Sequence, residues 1–426
     1  MTGTAAASTA TAPGASLLPW SLFAAMIAAA GLPIYIHAPK FYVDEYGLSL
    51  ATLGLTLAAL RLVDVVQDPL LGWLAEVAQG WRAALVWGAA MVMALAMLGL
   101  FAVTPPVAPL VWFALCLTLL FSGFSFLTIV FYAQGVAKAA SLGTGGHFRL
   151  ASWRETGSLV GVSLAAVAPV ALAALTDKPF TAFAIGFGAL AVLAAVLMRH
   201  EWRGSGRVLS VTAFGHPWAV FRPALSDALS RRLLLIALLN AAPVAVTSTL
   251  FLFFVESRLA APGWEGPLLL LFFLSAAASA PVWGRLASRY GAKRSLLGAM
   301  ALAIAAFLWA VTLREGDTAA FALICAASGA ALGADLTLLP ALFARRLAAL
   351  GSGEGAAFGL WSFVSKLSLA IAAATLLPAL ASAGFAPGAA NTAQALLALS
   401  LLYAALPCGL KLFAMGLLAL TDVEKG

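Results

Sequence analysis

Ala84-Leu-Val-Trp-Gly-Ala-Ala-Met-Val-Met-Ala-Leu-Ala-Met-Leu-Gly-Leu-Phe-Ala-Val103 is a run of twenty residues without one ionisable side chain. Wound as an α-helix it is about 30 Å long, the thickness of a bilayer's hydrocarbon core. It is apolar on every face, so it needs apolar surroundings all round. Eleven further runs of this kind follow from the same reading: 18–38, 47–75, 107–136, 150–175, 179–198, 231–257, 266–289, 294–313, 318–346, 356–381 and 391–420. The expected fold class is therefore all-α integral membrane, with twelve transmembrane helices.

Composition agrees. Of 426 residues, 63% are hydrophobic and 10% charged, where a soluble domain carries about 25% charged residues. Mean hydropathy is +1.01. A water-soluble protein cannot hide that much apolar surface. Cys116, Cys325 and Cys408 lie far apart in apolar runs and form no metal or disulfide pattern. Residues 1–17 are Ala/Thr/Ser/Gly/Pro-rich and uncharged, without the basic start of a signal peptide. They are expected to be a disordered tail.

The longest polar connection, about 199–230, separates spans six and seven and carries Arg199, Arg203, Arg207 and Arg222, with Arg231 and Arg232 just beyond. The chain thus divides into a half at 18–198, a basic linker at 199–230, a half at 231–420 and a tail at 421–426. With the first end cytoplasmic, 16 Lys/Arg fall on the cytoplasmic side. They are Arg82, Lys138, Arg149, the six linker arginines, Arg285, Arg289, Lys293, Arg294, Arg345, Arg346 and Lys425. Four, Lys40, Lys178, Arg258 and Arg314, fall outside. Positive loops stay inside, so both ends are expected in the cytoplasm. The net charge of +7 then reflects topology and not nucleic-acid binding.

Several charges sit where lipid should be. A charge at mid-bilayer costs about 2.5–3.5 kcal/mol even on the lenient insertion scale, so it needs a partner or a cavity. The second span reads Arg61-Leu-Val-Asp64-Val-Val-Gln-Asp68-Pro69-Leu-Leu-Gly72. The spacing of i, i+3 and i+7 puts Arg61, Asp64 and Asp68 on one face. Two carboxylates a turn apart repel when ionised, which favours a proton or a metal cation between them. Pro69 cannot donate to the carbonyl of Val65 and leaves it free. The eleventh span, Phe358-Gly-Leu-Trp361-Ser-Phe-Val-Ser365-Lys366-Leu-Ser368, carries a lysine that belongs against a carboxylate. Asp64 and Asp68 are the first candidates and Asp335 the alternative. Lys411, near a span end, is expected to snorkel to the interface. Trp153-Arg154-Glu155 offers an aromatic plane, a forked donor and an acceptor for a solute's hydroxyl or carboxylate. An Arg–Glu interaction at the membrane surface is the structural alternative. Tyr35 and Trp361 are placed in the same substrate-facing set.

Two six-helix halves are the layout of the major facilitator superfamily. The second-span pattern resembles the glycoside–pentoside–hexuronide:cation symporters, the melibiose permease-like family. Tyr42-Val-Asp44-Glu-Tyr-Gly47-Leu-Ser49, the pair Arg149 and Arg154, and Lys366 are similar to features of that family. The resemblance implies that Asp64 and Asp68 bind a coupling cation, H+ or Na+, with Lys366 beside them, and that Arg154 faces the substrate. Gly284-Arg-Leu-Ala-Ser288-Arg289-Tyr-Gly291-Ala-Lys293-Arg294 resembles the superfamily loop between helices eight and nine, with Ser288 in place of an Asp. Gly72-Trp-Leu-Ala-Glu76 is a weaker copy. Gly72, Glu76, Gly284, Arg289, Gly291, Lys293 and Arg294 are thereby implied as a conformational latch.

Sugar-binding members carry acids on helices one and four. Here those stretches read Ala24-Ala-Met-Ile-Ala-Ala-Ala30 and Phe121-Ser122-Gly123-Phe124-Ser125. The implied function is cation-coupled symport of a small organic solute such as a sugar or glycoside. A lysolipid or amphiphile carrier, or a non-transporting assembly factor, is the alternative. The protein is expected to be a monomer in a bacterial inner membrane, without cofactor and without nucleic-acid partner. Enzyme chemistry lacks a phosphate loop, a metal pattern or a nucleophile constellation. A metal importer lacks paired thiols or imidazoles in its spans: no HxxxM follows any of the four histidines.

Overall fold

The structure is a computed structural model that describes residues 16–203, 217–351, 353–386 and 391–423. Residues 1–15 of the first tail, 204–216 of the linker (with Arg207) and 424–426 of the last tail (with Lys425) lie outside the described residues, as does the side chain of Tyr35.

The described residues form helices joined by turns, with no strand among them. In the first half these are α1 Leu18–Ala29, α2 Leu32–Tyr46, α3 Leu50–Val77, α4 Arg82–Phe101, α5 Pro109–Ser141, α6 Gly146–Leu172 and α7 Pro179–Met198. The short α8 Arg222–Ser226 lies in the linker. The second half holds α9 Ala228–Phe253, α10 Glu265–Tyr290, α11 Ala292–Ala310, α12 Thr318–Leu350, α13 Glu354–Ser382, α14 Ala393–Ser400 and α15 Leu406–Ala419.

Among the described residues, ten helical stretches are long and apolar enough to cross a membrane. The first two expected spans fall on the α1–α2 pair, interrupted at Gly31, and on the charge-bearing α3. Residues 42–46 were expected in the link between them but are the last turn of α2. Gly47 ends that helix at φ +65°, where a residue without Cβ costs least. Ser49 then caps α3, its Oγ accepting from the Thr52 N–H at 3.1 Å. Spans seven and twelve each contain a π turn, Phe254–Arg258 and Leu401–Ala405. Phe254 and Tyr403 stack between those turns with ring centroids 4.2 Å apart.

The halves meet on the side that carries the linker. Gly72 of α3 lies against Gly359 of α13: a Cβ on Gly72 would come within 2.9 Å of the Gly359 Cα. Gly284 of α10 sits against Ser152 of α6, whose hydroxyl reaches the Ala280 carbonyl at 3.3 Å. Toward the far side this packing ends. The buried residues of α3 are Asp64, Val65, Asp68, Gly72, Ala75 and Glu76, and nearer its far-side start only Leu53 among the described ones. The halves are packed together on the linker side, and fewer α3 residues are buried toward the other.

The linker is not only a polar tether. Its Val220 and Phe221 pack with Ala356 against Trp73, Val77 and Leu360, covering the α3–α13 contact. Asp227 caps α9 through the Ser230 N–H at 2.8 Å and pairs with Arg346 at 2.6 Å. Hydrogen bonding from the Arg346 guanidinium holds the Asp227 carboxyl well below the usual carboxylate range.

Candidate functional site

On α3, one helical turn separates Asp64 from Asp68, and both face α13 and α5. Asp68 is 0% exposed. Its Oδ1 accepts from Lys366 Nζ at 3.0 Å, while Oδ2 has no hydrogen-bond partner among the described residues. Lys366 Nζ also lies 3.8 Å from Asp64 Oδ2 and donates to Ser125 Oγ at 2.7 Å. Asp64 Oδ1 accepts from Gln67 Nε2 at 2.7 Å, and Gln67 Oε1 accepts from Ser122 Oγ at 2.8 Å. Arg61, half-buried a turn before Asp64, adds positive charge to its surroundings. The first-named partner for Lys366 is thus the one it has.

The energetics leave this pair poised. At 3 Å an ion pair gains roughly 5 kcal/mol at an effective dielectric near 20. Desolvating each ion costs several kcal/mol. The two terms are of similar size.

A second polar group lies on α6. Arg154 Nε donates to Glu155 Oε1 at 2.8 Å, and Tyr132 OH donates to the same oxygen at 2.8 Å. The guanidinium lies over the Tyr132 ring, 3.6 Å from its centroid, a cation–π geometry. Arg154 Nη2 is buried without a partner among the described residues. This group borders a cavity of about 410 Å³ walled by α1, α5, α6 and Leu336 of α12.

Trp153 does not join it. Neighbouring helix residues point roughly 100° apart, and Trp153 is 46% exposed in a separate cleft. Tyr132, unremarked in the sequence, supplies the aromatic plane instead. Trp361 is not among the cavity's walls. It stacks on Phe343 with centroids 5.0 Å apart.

The Phe121–Ser125 stretch of the fourth span lacks an acid but belongs to a longer polar stripe of α5. The helix presents Ser122, Ser125, Thr128 and Tyr132 at spacings of three and four, one stripe of a helix. Ser122 donates to Gln67, Ser125 accepts from Lys366, and Thr128 and Tyr132 line the cavity. The stripe joins the two polar groups.

Asp335 belongs to neither. It pairs with Lys411 of α15, which also donates to Asn240 Oδ1 of α9 at 2.6 Å. Lys411 is 4% exposed, so the expected snorkelling is overturned. A buried carboxylate offered more than the interface did, because an ammonium in an apolar bundle needs a counter-charge.

The latch set also divides. Gly72 and Gly284 make the close approaches between halves, and Glu76 Oε2 accepts the Gly355 N–H of α13 at 3.0 Å. The basic members do not bridge the halves in this way. Lys293 donates to the Ala419 carbonyl of its own half at 2.7 Å. Arg289 lies over Tyr290, Arg294 is exposed, and Gly291 takes φ +92° in the turn between α10 and α11.

Two helical halves that meet at buried charges and close glycine contacts, beside a cavity bordered by Arg154, Glu155 and Tyr132, are the features of a membrane carrier of the major facilitator type. The chain belongs to the family described as MFS/sugar transport protein, whose model matches residues 20–425. Among solved structures, a bacterial homologue of the iron transporter ferroportin in an outward-facing state is similar at TM-score 0.66 and 16% identity, over 94% of this chain and 100% of that one. The E. coli fucose:proton symporter FucP is similar at TM-score 0.65 and 16% identity, over 93% and 97%. No curated protein matches the chain at the level of sequence.

Proposed function

We propose that the protein is a secondary active transporter that couples entry of a cation, H+ or Na+, to symport of a small organic solute by alternating access. The observation that carries this reading is the orphaned Oδ2 of fully buried Asp68, beside a lysine from the opposite half. A cation at Asp68 and Asp64 loosens Lys366, and with it a bond between the halves. Ser125 and the α5 stripe transmit that change to Tyr132, Glu155 and Arg154, which hold the solute. By linkage, solute raises cation affinity by the same factor. The proton is the simpler ion, since Oδ2 needs only one hydrogen, whereas sodium needs several oxygens.

Lys366, Asp64 and Asp68 are the coupling residues and Arg154, Glu155 and Tyr132 the solute residues. The unpartnered Nη2 of Arg154 is the first donor for a solute hydroxyl or carboxylate. The linker side faces the cytoplasm of a bacterial inner membrane, and the monomer suffices.

Uptake into proteoliposomes under an imposed pH or sodium gradient tests this. Accumulation of a sugar or carboxylate driven by one gradient, and lost in Asp68→Asn, supports the mechanism. Gradient-driven accumulation that persists in Asp68→Asn contradicts it. A second reading has its own observation: Ala24, Ile27, Ala28, Phe124 and Phe131 make one wall of the cavity apolar, which suits an amphiphile with its polar head at Arg154. Lysolipid-driven quenching of sugar uptake separates the two.

A further inference from the structure

A larger cleft lies apart from the cavity at Arg154. It opens between α6 and α10 on the linker side, has a volume of about 660 Å³, and is lined by residues of both halves. Arg149 contributes from the first half, Arg285 and Arg289 from the second. Among the described residues none of these three is ion-paired to a carboxylate. All three are exposed, and together they give the concavity a positive potential that favours an anion.

Other features of the cleft point the same way. Thr144 and Gly145 line it where the 27-residue α6 begins, so the positive end of that helix dipole adds to the field. Trp153, displaced from the Arg154 group, gives an apolar wall at the same place. Ser288 stands where the resembled loop carries an acid, so that position supplies no internal counter-charge.

We infer that this cleft binds the phosphate group of an organic phosphate, held by Arg149 of one half and by Arg285 and Arg289 of the other. Arginine forks match phosphate oxygens. The cleft is too large for a bare phosphate ion, and Trp153 suits the organic part. Its place at the helix ends gives two sources for this chemistry, an anionic glycerophospholipid headgroup and a soluble phosphate ester. In either case the ligand bridges the halves on the side where they are packed together. This inference does not depend on the solute or on the coupling ion.

Native mass spectrometry of the full-length protein in detergent tests it, with titrations of phosphatidylglycerol, phosphatidylcholine and glycerol phosphate. Phosphatidylglycerol is expected to bind more tightly than phosphatidylcholine, whose choline cancels the charge. Arg149→Gln, and separately Arg285→Gln with Arg289→Gln, are each expected to weaken binding by about tenfold per arginine. Arg199→Gln with Arg222→Gln and Arg232→Gln removes three arginines elsewhere on the same face and is expected to change it by less than about twofold. Binding of phosphatidylglycerol alone identifies a lipid headgroup, and binding of glycerol phosphate as well identifies a phosphate-ester site. No binding of either, equal binding by the cleft variants, an equal loss in the control, or a loss from one half's variants only, overturns the inference.

Discussion

Gly72→Ala tests the contact between the halves on the linker side. The added Cβ would lie 2.9 Å from Gly359 Cα and 3.0 Å from the Gly355 carbonyl oxygen, where ordinary contact begins at 3.4 Å. Both neighbours are backbone, so no rotamer change relieves the clash, and α3 and α13 must separate by about 0.5 Å. Overpacking of this kind costs about 1–3 kcal/mol. Because the strain exists only while the halves touch on the linker side, it lowers the ratio of that state to its alternative by about 5–150-fold. Ser158 lines the cavity, and a Ser158→Cys variant reports access through labelling by a hydrophilic thiol reagent. The native Cys116, Cys325 and Cys408 are buried and give little background. Labelling from the far side is expected to slow when Gly72→Ala is added. Unchanged labelling in a folded protein would refute the argument that the glycine contact sets the closed state.

Tyr132→Phe removes the hydrogen bond to Glu155 and keeps the ring under Arg154; half-saturating solute concentration is expected to rise by about 3–10-fold, measured by uptake kinetics. Asp335→Asn leaves Lys411 buried without its counter-charge and should destabilise by about 3–5 kcal/mol. Asp335→Leu with Lys411→Met should recover most of that loss, as read by thermal unfolding in detergent. The folded-state acidity of Asp227 is raised by Arg346, so its contribution is present above about pH 4 and fades as pH falls further. The stability gap between wild type and Asp227→Asn is therefore expected at pH 7 and should shrink by pH 3. A gap that stays constant would mean that the charge does not matter there.

The helical fold was legible because a bilayer imposes one requirement on every span: twenty or so apolar residues with their backbone bonded internally. That requirement says nothing about which charged residues meet. The Lys366–Asp68 pair was within reach of sequence reasoning because both lie at mid-span, where a lone charge is costly. Lys411 was misplaced because nearness to a span end was weighed without knowing that Asp335 and Asn240 face it. Trp153 was misplaced by reading adjacent residues as one face, although helix geometry alone argues against that. Tyr132 and the hydroxyls of α5 were missed for another reason. Serines and threonines in membrane helices commonly bond their own backbone, as Thr128 does to Phe124, so a hydroxyl stripe carries no signal until its neighbours are known. The break at Gly31 was hidden too, because apolar sequence continues on both sides of it.

The coupling claim rests on Asp68 and is tested most directly by solid-supported-membrane current on reconstituted protein. Wild type and Asp68→Asn would each receive concentration jumps of sugars, carboxylates and lysolipids, with and without sodium, at two pH values. The account predicts a solute-gated inward current in the wild type that disappears in Asp68→Asn while the variant still binds solute. A current of wild-type size in Asp68→Asn would contradict it and leave the buried carboxylate a structural partner of Lys366.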